Sequence, residues 1–584
     1  MTKHFEVLRR DGPARLGKLL LDRQISTPSL IGSDDYLSAG SVFSYGSIEE
    51  VTLAAEAFKG QKKLAIMPYV PSALHSEPSI QLPKIEIDGP KGIVIHPFSK
   101  ETPEDADVYI LGGAGSLRNP RDFINAFVGV RNRIPSDTAL YAPSIATPAN
   151  LSMLVYLGID LIDTTRAVAD AYFGRYHTHD GVFSLSDLAE LPCICEHCKA
   201  LEGCYNDDDF DYEHLAGHNV LKLEEELLAV RHALRSENIR EFIERQVRVT
   251  PNLTAALRLL DQEHNYIEAR TPQHRRSIFY ANTAESLGRA EVTRFAARVL
   301  DRYTAPKSDV LLLLPCSAKK PYSISRSHRL FAEAIGSHRR YLHELILTSP
   351  LALVPRELEE VYPAANYDVP VTGHWDLEER AWLLRCLDAY LEKNKYARIV
   401  AHLEGELRET VEGHGINAAY TGGGTNDAAL SRLSEAVREA CCGAVRLEDH
   451  RLQRYRATAD YYFGSGAGDA LLTGKVKIRG REVQDERGKP LAAMTPNGML
   501  ALSIEGARRL EPLGRYIVTI GDFAPKGSLL APGVLDADPQ IRPGDEVIIV
   551  GEKAFGVGRA KMSGWEMVES RRGMAADLRQ MQKI

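Results

Sequence analysis

Val310-Leu311-Leu312-Leu313-Leu314-Pro315-Cys316-Ser317-Ala318-Lys319-Lys320-Pro321-Tyr322-Ser323-Ile324-Ser325-Arg326-Ser327-His328 reads as a strand, a loop and the start of a helix. Five consecutive aliphatic residues suit a strand buried on both faces, and Pro315 and Pro321 punctuate the loop after it. Ser323 or Ser325 is placed to cap the helix that Leu330 to Ile335 continues. The arrangement predicts an α/β unit with a thiol close to a helix N-terminus. The helix dipole and the ammonium groups of Lys319 and Lys320 would both favour a thiolate at Cys316. The same residues also fit a buried cysteine that merely closes a strand, since a lone cysteine packs well as a small hydrophobe.

Outward from this stretch, composition sets the bounds. A chain of 584 residues, 44% hydrophobic, can bury several cores, and three to five domains are expected. The net charge of -8 and a pI near 6.2 carry no bulk basic signal, so a nucleic-acid partner has to be argued from local sites. Eight cysteines, three of them at Cys193, Cys195 and Cys198, point to a reducing compartment and a metal site rather than a disulfide framework. No hydrophobic span approaches membrane length, and Met1 to Glu6 lacks the apolar core of a secretory signal. The expectation is a soluble cytoplasmic protein without a membrane partner.

Residues 1–240 alternate short apolar runs (Leu64 to Val70, Gly92 to His96, Val108 to Leu111, Leu140 to Ser144) with helical stretches, the rhythm of a parallel barrel or sheet. Residues 241–300 read as a helical connector, and residues 301–443 as a second α/β domain with strands at Val310 to Leu314, Leu345 to Thr348 and Arg398 to His402. Two small modules complete the chain, α+β over 444–512 and β-rich over 513–584. In the last, 514–584 carries ten Lys or Arg against nine Asp or Glu, so any RNA binding there rests on shape and placed contacts.

Cys193-Ile194-Cys195-Glu196-His197-Cys198 is the strongest metal signal, because three thiols within six residues cannot all serve as packing units. With one imidazole they make a closed tetrahedral set suited to structural zinc; His197, Cys204, His214 and His218 all lie near enough to be considered as the fourth ligand. Gly158-Ile159-Asp160-Leu161-Ile162-Asp163-Thr164 ends an apparent strand with a carboxylate, either at the chemical end of a barrel or as a cap for the next helix. Gly422-Gly423-Gly424-Thr425 lacks the lysine and strand context of a phosphate loop and reads as a flexible connection. Ser349 to Pro355, Tyr367-Asp368 and His374-Trp375 carry aromatic and carboxylate groups that suit either a flat base or core packing.

Pro315, Cys316, Lys320, Pro321, Tyr322, Ser325 and His328 together match a string that resembles the signature of the archaeosine synthases, archaeal tRNA-modifying relatives of the tRNA-guanine transglycosylases. The resemblance implies a transglycosylase-like (β/α) barrel with a zinc subdomain, a second α/β domain, a small α+β module and a C-terminal β-barrel PUA domain. It selects Cys193, Cys195, Cys198 and His218 as zinc ligands, the last because His218-Asn219 is similar to the family's His-Asn pair, and leaves His197 and Cys204 as bystanders. Asp163 matches the transglycosylase nucleophile, yet the loop expected near Ser38-Ala39-Gly40-Ser41-Val42-Phe43 lacks the family's Asp and Gln. Asp163 is therefore expected to be vestigial, because base exchange needs both partners. Ala459 to Gly464 resembles the module before PUA, while Gly527 to Val534, Ile541 to Val547, Gly556 to Met562 and Arg571-Arg572-Gly573 resemble PUA itself.

The implied activity is addition of an amine to the nitrile of 7-cyano-7-deazaguanine (preQ0) in the D-loop of tRNA, with Cys316, Lys320, Tyr322, Ser325 and His328 as catalytic residues. Lysine is the implied donor, with glutamine or ammonia as alternatives; a separate radical enzyme would act on the product, and the assembly admits a homodimer. A true transglycosylase inserting preQ0 and a non-catalytic tRNA-binding scaffold are the competing expectations.

Overall fold

The protein is described by a computed structural model at residues 4–38, 40, 47–56, 58, 60, 62–70, 87, 89–99, 104–201 and 211–584. The expected site of the transglycosylase Asp-to-Gln loop (Ala39, Ser41 to Phe43) and Cys204 lie outside these residues. Two compact units divide the chain: 1–272 with 530–534 and 561–575, and 273–529 with 535–560 and 576–584. No described helix is long and apolar enough to cross a membrane.

The first unit is built on a seven-stranded parallel sheet ordered Ser29–Leu30, Leu161–Ile162, Ala139–Tyr141, Val108–Leu111, Lys91–Ile95, Leu64–Ile66, Tyr36–Ser38. In chain order its first strand pairs with its last, Ser29 beside Leu161, as the strands of a closing barrel do. No pairing joins Ser29–Leu30 to Tyr36–Ser38, so the sheet is a partly open barrel. Helices Pro120–Arg133, Pro148–Tyr156 and Thr165–Tyr172 follow successive strands. An antiparallel sheet of Phe5–Asp11, Ala14–Leu20 and Gln24–Thr27 precedes it, and Phe5, Leu19 and Ile25 share one core cluster with Leu64, Val108, Ile110 and Leu161.

A buried ion pair ties these two sheets. Arg15 Nε and Nη2 donate to the two oxygens of Asp160 at 2.7 and 2.6 Å, Nη1 donates to Ser136 O at 2.6 Å, and Asp160 also accepts from Leu140 N at 2.8 Å. Every donor has an acceptor, which is what makes a fully buried charge pair tolerable.

In the second unit the sheet order is Ala352–Pro355, Leu342–Thr348, Val310–Pro315, Arg398–Ala401, Ala419–Tyr420, all parallel except the first. The aliphatic run starting at Val310 is thus the central strand, hydrogen-bonded on both sides and buried throughout. From it the chain winds one way to Leu342–Thr348 and later the other way to Arg398–Ala401. That reversal leaves a crevice at the carboxyl ends of these strands, the usual ligand position in an open α/β sheet. Cys316 is the first residue beyond the central strand.

Downstream, a four-stranded antiparallel meander (Val476 to Leu502) and a six-stranded sheet containing Ile517–Ile520, Glu546–Val550, Ala554–Ala560 and Met574–Lys583 complete the chain. The strand pair bulges at Gly558: register shifts between Val557 and Gly558, where a Cβ on Gly558 would meet Asp577 O at 2.5 Å.

Removing the carboxylate of the buried pair leaves Arg15 charged and unpaired. Asp160→Ala is expected to cost about 3–5 kcal/mol in chemical denaturation, and more than an exposed change such as Asp22→Ala, which should be near neutral.

Candidate functional sites

The loop after the central strand is held by His328. Ser325 caps helix Arg326–Ile335, its hydroxyl accepting from His328 N at 3.3 Å. On the first turn of that helix, His328 Nε2 donates to Pro315 O at 3.0 Å and Nδ1 accepts from Arg356 Nη2 at 2.8 Å. This pattern requires the neutral ring, and burial together with the Arg356 charge pushes its pKa down to about 3. Arg356 is itself buried, donating to Glu344 at 2.7 Å and Glu359 at 2.9 Å. Both nitrogens of this expected catalytic residue are engaged, and the ring does not charge near neutrality. It positions the loop.

Around Cys316 the groups converge from four segments. Its amide donates to Leu347 O at 3.1 Å, which sets Cys316 beside Thr348, and the Thr348 hydroxyl favours the anion of its thiol. Thr348 Oγ1 lies 2.5 Å from Tyr367 Oη, which lies 2.6 Å from Tyr322 Oη. Lys320 stretches over the Tyr367 ring, its Nζ 4.2 Å from the centroid and 4.0 Å from Asp368 Oδ1, with a side chain only 5% exposed. Burial lowers the Lys320 pKa, opposed by Cys316 and Asp368.

The expectation of a resting thiolate is corrected. Burial raises the Cys316 pKa above its ordinary value, and this outweighs the lowering by Thr348 and Lys320. Lys319 is exposed, and the α-helix begins only at Arg326, after a short 3-10 turn at Tyr322–Ile324.

Sequence reasoning missed Thr348 and Arg356 and offered Tyr367 only as part of a surface for a flat base or as core packing, not as a partner of Thr348. Thr348 had a usable signal: it ends the strand run Leu345 to Thr348, and parallel neighbours bring their carboxyl ends together. Gly422, Gly423 and Gly424 do not form the expected flexible connection. Their φ values are 84, 63 and 87°, a Cβ on Gly423 would meet Glu404 Cβ at 2.6 Å, and Gly424 O accepts from His402 Nε2 at 2.8 Å. The His374-Trp375 segment is an exposed strap pinned on Glu406, which accepts from Trp375 N at 2.8 Å and lies 2.9 Å from His374 Nδ1.

The metal candidate lies in the first unit. Cys193, Cys195, Cys198 and His218 place their ligand atoms within 4.8 Å of one another. His218 Nδ1 is 3.6 Å from Cys195 Sγ and 3.2 Å from Cys198 Sγ. A tetrahedral ion with bonds of about 2.3 Å to sulfur and about 2.0 Å to nitrogen would set such pairs roughly 3.5 Å apart, so the donors fit. His218 Nε2 donates to His177 O at 2.9 Å, leaving Nδ1 as the ligand atom, and burial pushes the ring pKa down to about 4, the neutral ligand form. Asn219 accepts from His177 N at 2.9 Å and donates to Ala167 O at 3.1 Å, pinning the Arg175–Thr178 strand to the neighbouring helix. His197 lies instead against Gly217 and faces His214 at 3.4 Å.

Asp163 is occupied structurally. It accepts from Tyr141 Oη at 2.7 Å, Thr165 N at 2.8 Å and Ser144 N at 3.0 Å, the last holding Ser144 at a φ of 58°.

The neutral state of His328 has a signed consequence. An unfolded histidine titrates near about 6.5, so the unfolded chain takes up the proton first as pH falls. Stability from the neutral ring is whole above that pH and is lost progressively down to about 3, at up to about 1.4 kcal/mol per pH unit. His328→Gln, which can accept from Arg356 and donate to Pro315 without titrating, is expected to flatten this part of a melting-temperature curve against pH. An unchanged slope would show that the ring is not the neutral group described.

Comparison with known proteins finds four successive matches along the chain. A family model described as queuine tRNA-ribosyltransferase matches residues 98–252, one described as the patch-forming domain C2 of tRNA-guanine transglycosylase matches 453–515, and a PUA domain matches 520–581. The crevice around Cys316 falls in a match over 292–437 to a domain of unknown function. A tRNA-guanine(15) transglycosylase of Methanobrevibacter smithii is 27% identical over 82% of this chain and 72% of its own. The archaeosine synthase subunit alpha of Methanosarcina acetivorans is 43% identical and the archaeosine synthase of Haloferax volcanii 37% identical, each over 100% of both chains. With identities of this size over the full length, the chain belongs to the archaeosine synthase family.

Proposed function

We propose that this protein adds an amine, with lysine as donor, to the nitrile of preQ0 in tRNA, and that Cys316 forms the intermediate. The observation that supports this reading is a thiol at the carboxyl end of the central strand with a buried, pKa-lowered amine, Lys320, beside it. Neutral Lys320 takes the thiol proton as sulfur adds to the nitrile carbon. The S–C bond forms, one C–N π bond is lost, and the proton passes from Lys320 to the nitrile nitrogen to give a thioimidate. The donor amine then adds to that carbon, the C–S bond breaks, and the sulfur recovers a proton from the incoming nitrogen. The product is a substituted amidine, the substrate for a separate radical enzyme, and the thiol is regenerated. Tyr322 and Ser325 act by holding the loop, Ser325 as a cap and Tyr322 through Tyr367.

The engagement of Asp163 by three donors argues against base exchange as the activity of this chain. In the first unit, Cys193, Cys195, Cys198 and His218 are proposed to hold one structural zinc ion, which would supply folding energy and no chemistry.

Incubation with preQ0-containing tRNA and labelled lysine is expected to label the nucleoside, and Cys316→Ala to abolish labelling while tRNA affinity survives. With the donor withheld, a covalent protein–tRNA adduct should build up. A Cys316→Ser variant as active as wild type, with no adduct, would instead mean direct attack by the amine. Incorporation of labelled guanine would indicate a transglycosylase, and tight tRNA binding without any product a scaffold.

The purified protein is expected to carry about one zinc per chain by elemental analysis. Cys195→Ala should lose metal and solubility together; full zinc retention in that variant would refute the ligand set.

A further inference from the structure

Thr348, fully buried at the end of its strand, has more hydrogen-bond partners than one hydroxyl proton can serve. Its Oγ1 lies 3.1 Å from Ser349 O and 2.5 Å from Tyr367 Oη, and the Cys316 amide, which donates to Leu347 O at 3.1 Å, sets the thiol beside it, where the hydroxyl favours the sulfur anion. The carbonyl can only accept, so two proton arrangements are open. When sulfur carries its proton, Thr348 donates to Ser349 O and the thiol donates to Thr348. When sulfur is an anion, the Thr348 hydroxyl turns to it. In both, Tyr367 can donate to Thr348 and Tyr322 to Tyr367, since their oxygens are 2.6 Å apart. Once Lys320 has taken the proton from sulfur, its ammonium over the Tyr367 ring withdraws charge from that phenol and strengthens it as a donor.

We propose that Thr348 is the residue that stabilises the Cys316 sulfur anion, with Tyr367 and Tyr322 as positioning residues that orient its hydroxyl. This rests on the reading that Cys316 adds to the nitrile, where the anion arises twice: as the attacking group and as the group expelled by the amine. A chain of dipoles suits a half-buried sulfur that alternates between neutral and charged, because it turns with the charge and leaves no unpaired ion behind when sulfur is neutral or covalently bound. The groups facing the thiol are Lys320 from its own loop and Thr348 from the next strand. Asp368 faces Lys320, Glu359 acts on Tyr322, and His328 behind Pro315 is neutral.

The test needs no tRNA. Alkylation of the full-length protein by iodoacetamide is followed as a function of pH, reading the Cys316 peptide by mass spectrometry so that the other cysteines do not interfere. Thr348→Val is expected to raise the midpoint of Cys316 alkylation by about one pH unit, as loss of a hydrogen bond to a charged group implies. Thr348→Ser should return it to the wild-type value, and Tyr367→Phe should raise it by less. If Thr348→Val does not fold, Tyr367→Phe with Thr348→Ser carries the test: a raised midpoint in the first and a wild-type midpoint in the second support the chain. A midpoint unmoved in Thr348→Val or, where that variant does not fold, in Tyr367→Phe overturns the proposal. A Thr348→Ser variant that behaves like Thr348→Val also overturns it, because the methyl group would then be what matters. A shifted midpoint without any amidine product leaves the hydroxyl chain standing and removes the function proposed for Cys316; product with an unmoved midpoint does the reverse.

Discussion

The second unit depends on one buried constraint: the Arg356 guanidinium must be neutralised where water cannot reach it. Glu344 and Glu359 do this, and burial notwithstanding, the arginines beside Glu344 hold its carboxyl down at about 2. With two carboxylates already balancing the charge, an Nη2 N–H of Arg356 is left pointing at the loop, and a neutral acceptor can take it without adding charge. His328 is that acceptor, and by accepting at Nδ1 it is forced to carry its proton on Nε2, which then has to find Pro315 O. The position of the loop that begins at Cys316 is therefore set by charge balance some residues deeper. A buried network of this kind contributes little net stability compared with an apolar core, but it admits one geometry.

This constraint also explains which parts of the site could be read in the sequence. The strand at Val310, the cap at Ser325 and the three cysteines are local patterns, each decided by residues within a few positions of one another. Thr348 and Tyr367 reach Cys316 only because parallel pairing sets Leu314 beside Ile346 and Pro315 beside Leu347, and because Tyr367 packs under Lys320. No spacing in the chain announces either contact. The thiolate expectation failed for a related reason: it counted the charges next to Cys316 in sequence without the cost of burying a thiolate. Lysines at two successive positions look equivalent in a string, yet Lys319 is in solvent and Lys320 is inside.

The two strand-end groups of this chain, the Asp163 carboxylate and the Cys316 thiol, show how the same topological position is used in opposite ways. Asp163 comes directly after its strand and is met by three donors that cap the next helix and fix a strained Ser144. An anion so fully hydrogen-bonded is poorly nucleophilic, because every donor has to be given up, at about 1.5–3 kcal/mol each, before an oxygen can attack. Cys316 is in the reverse condition. Its resting form is neutral and weakly bonded, and the groups around it, Thr348 and Lys320, interact more strongly with the anion than with the thiol. Interactions that strengthen only as charge develops lower a barrier, whereas those already complete in the resting state do not. On that criterion the surroundings of Cys316 fit the role proposed for it, whereas those of Asp163 fit a scaffold position.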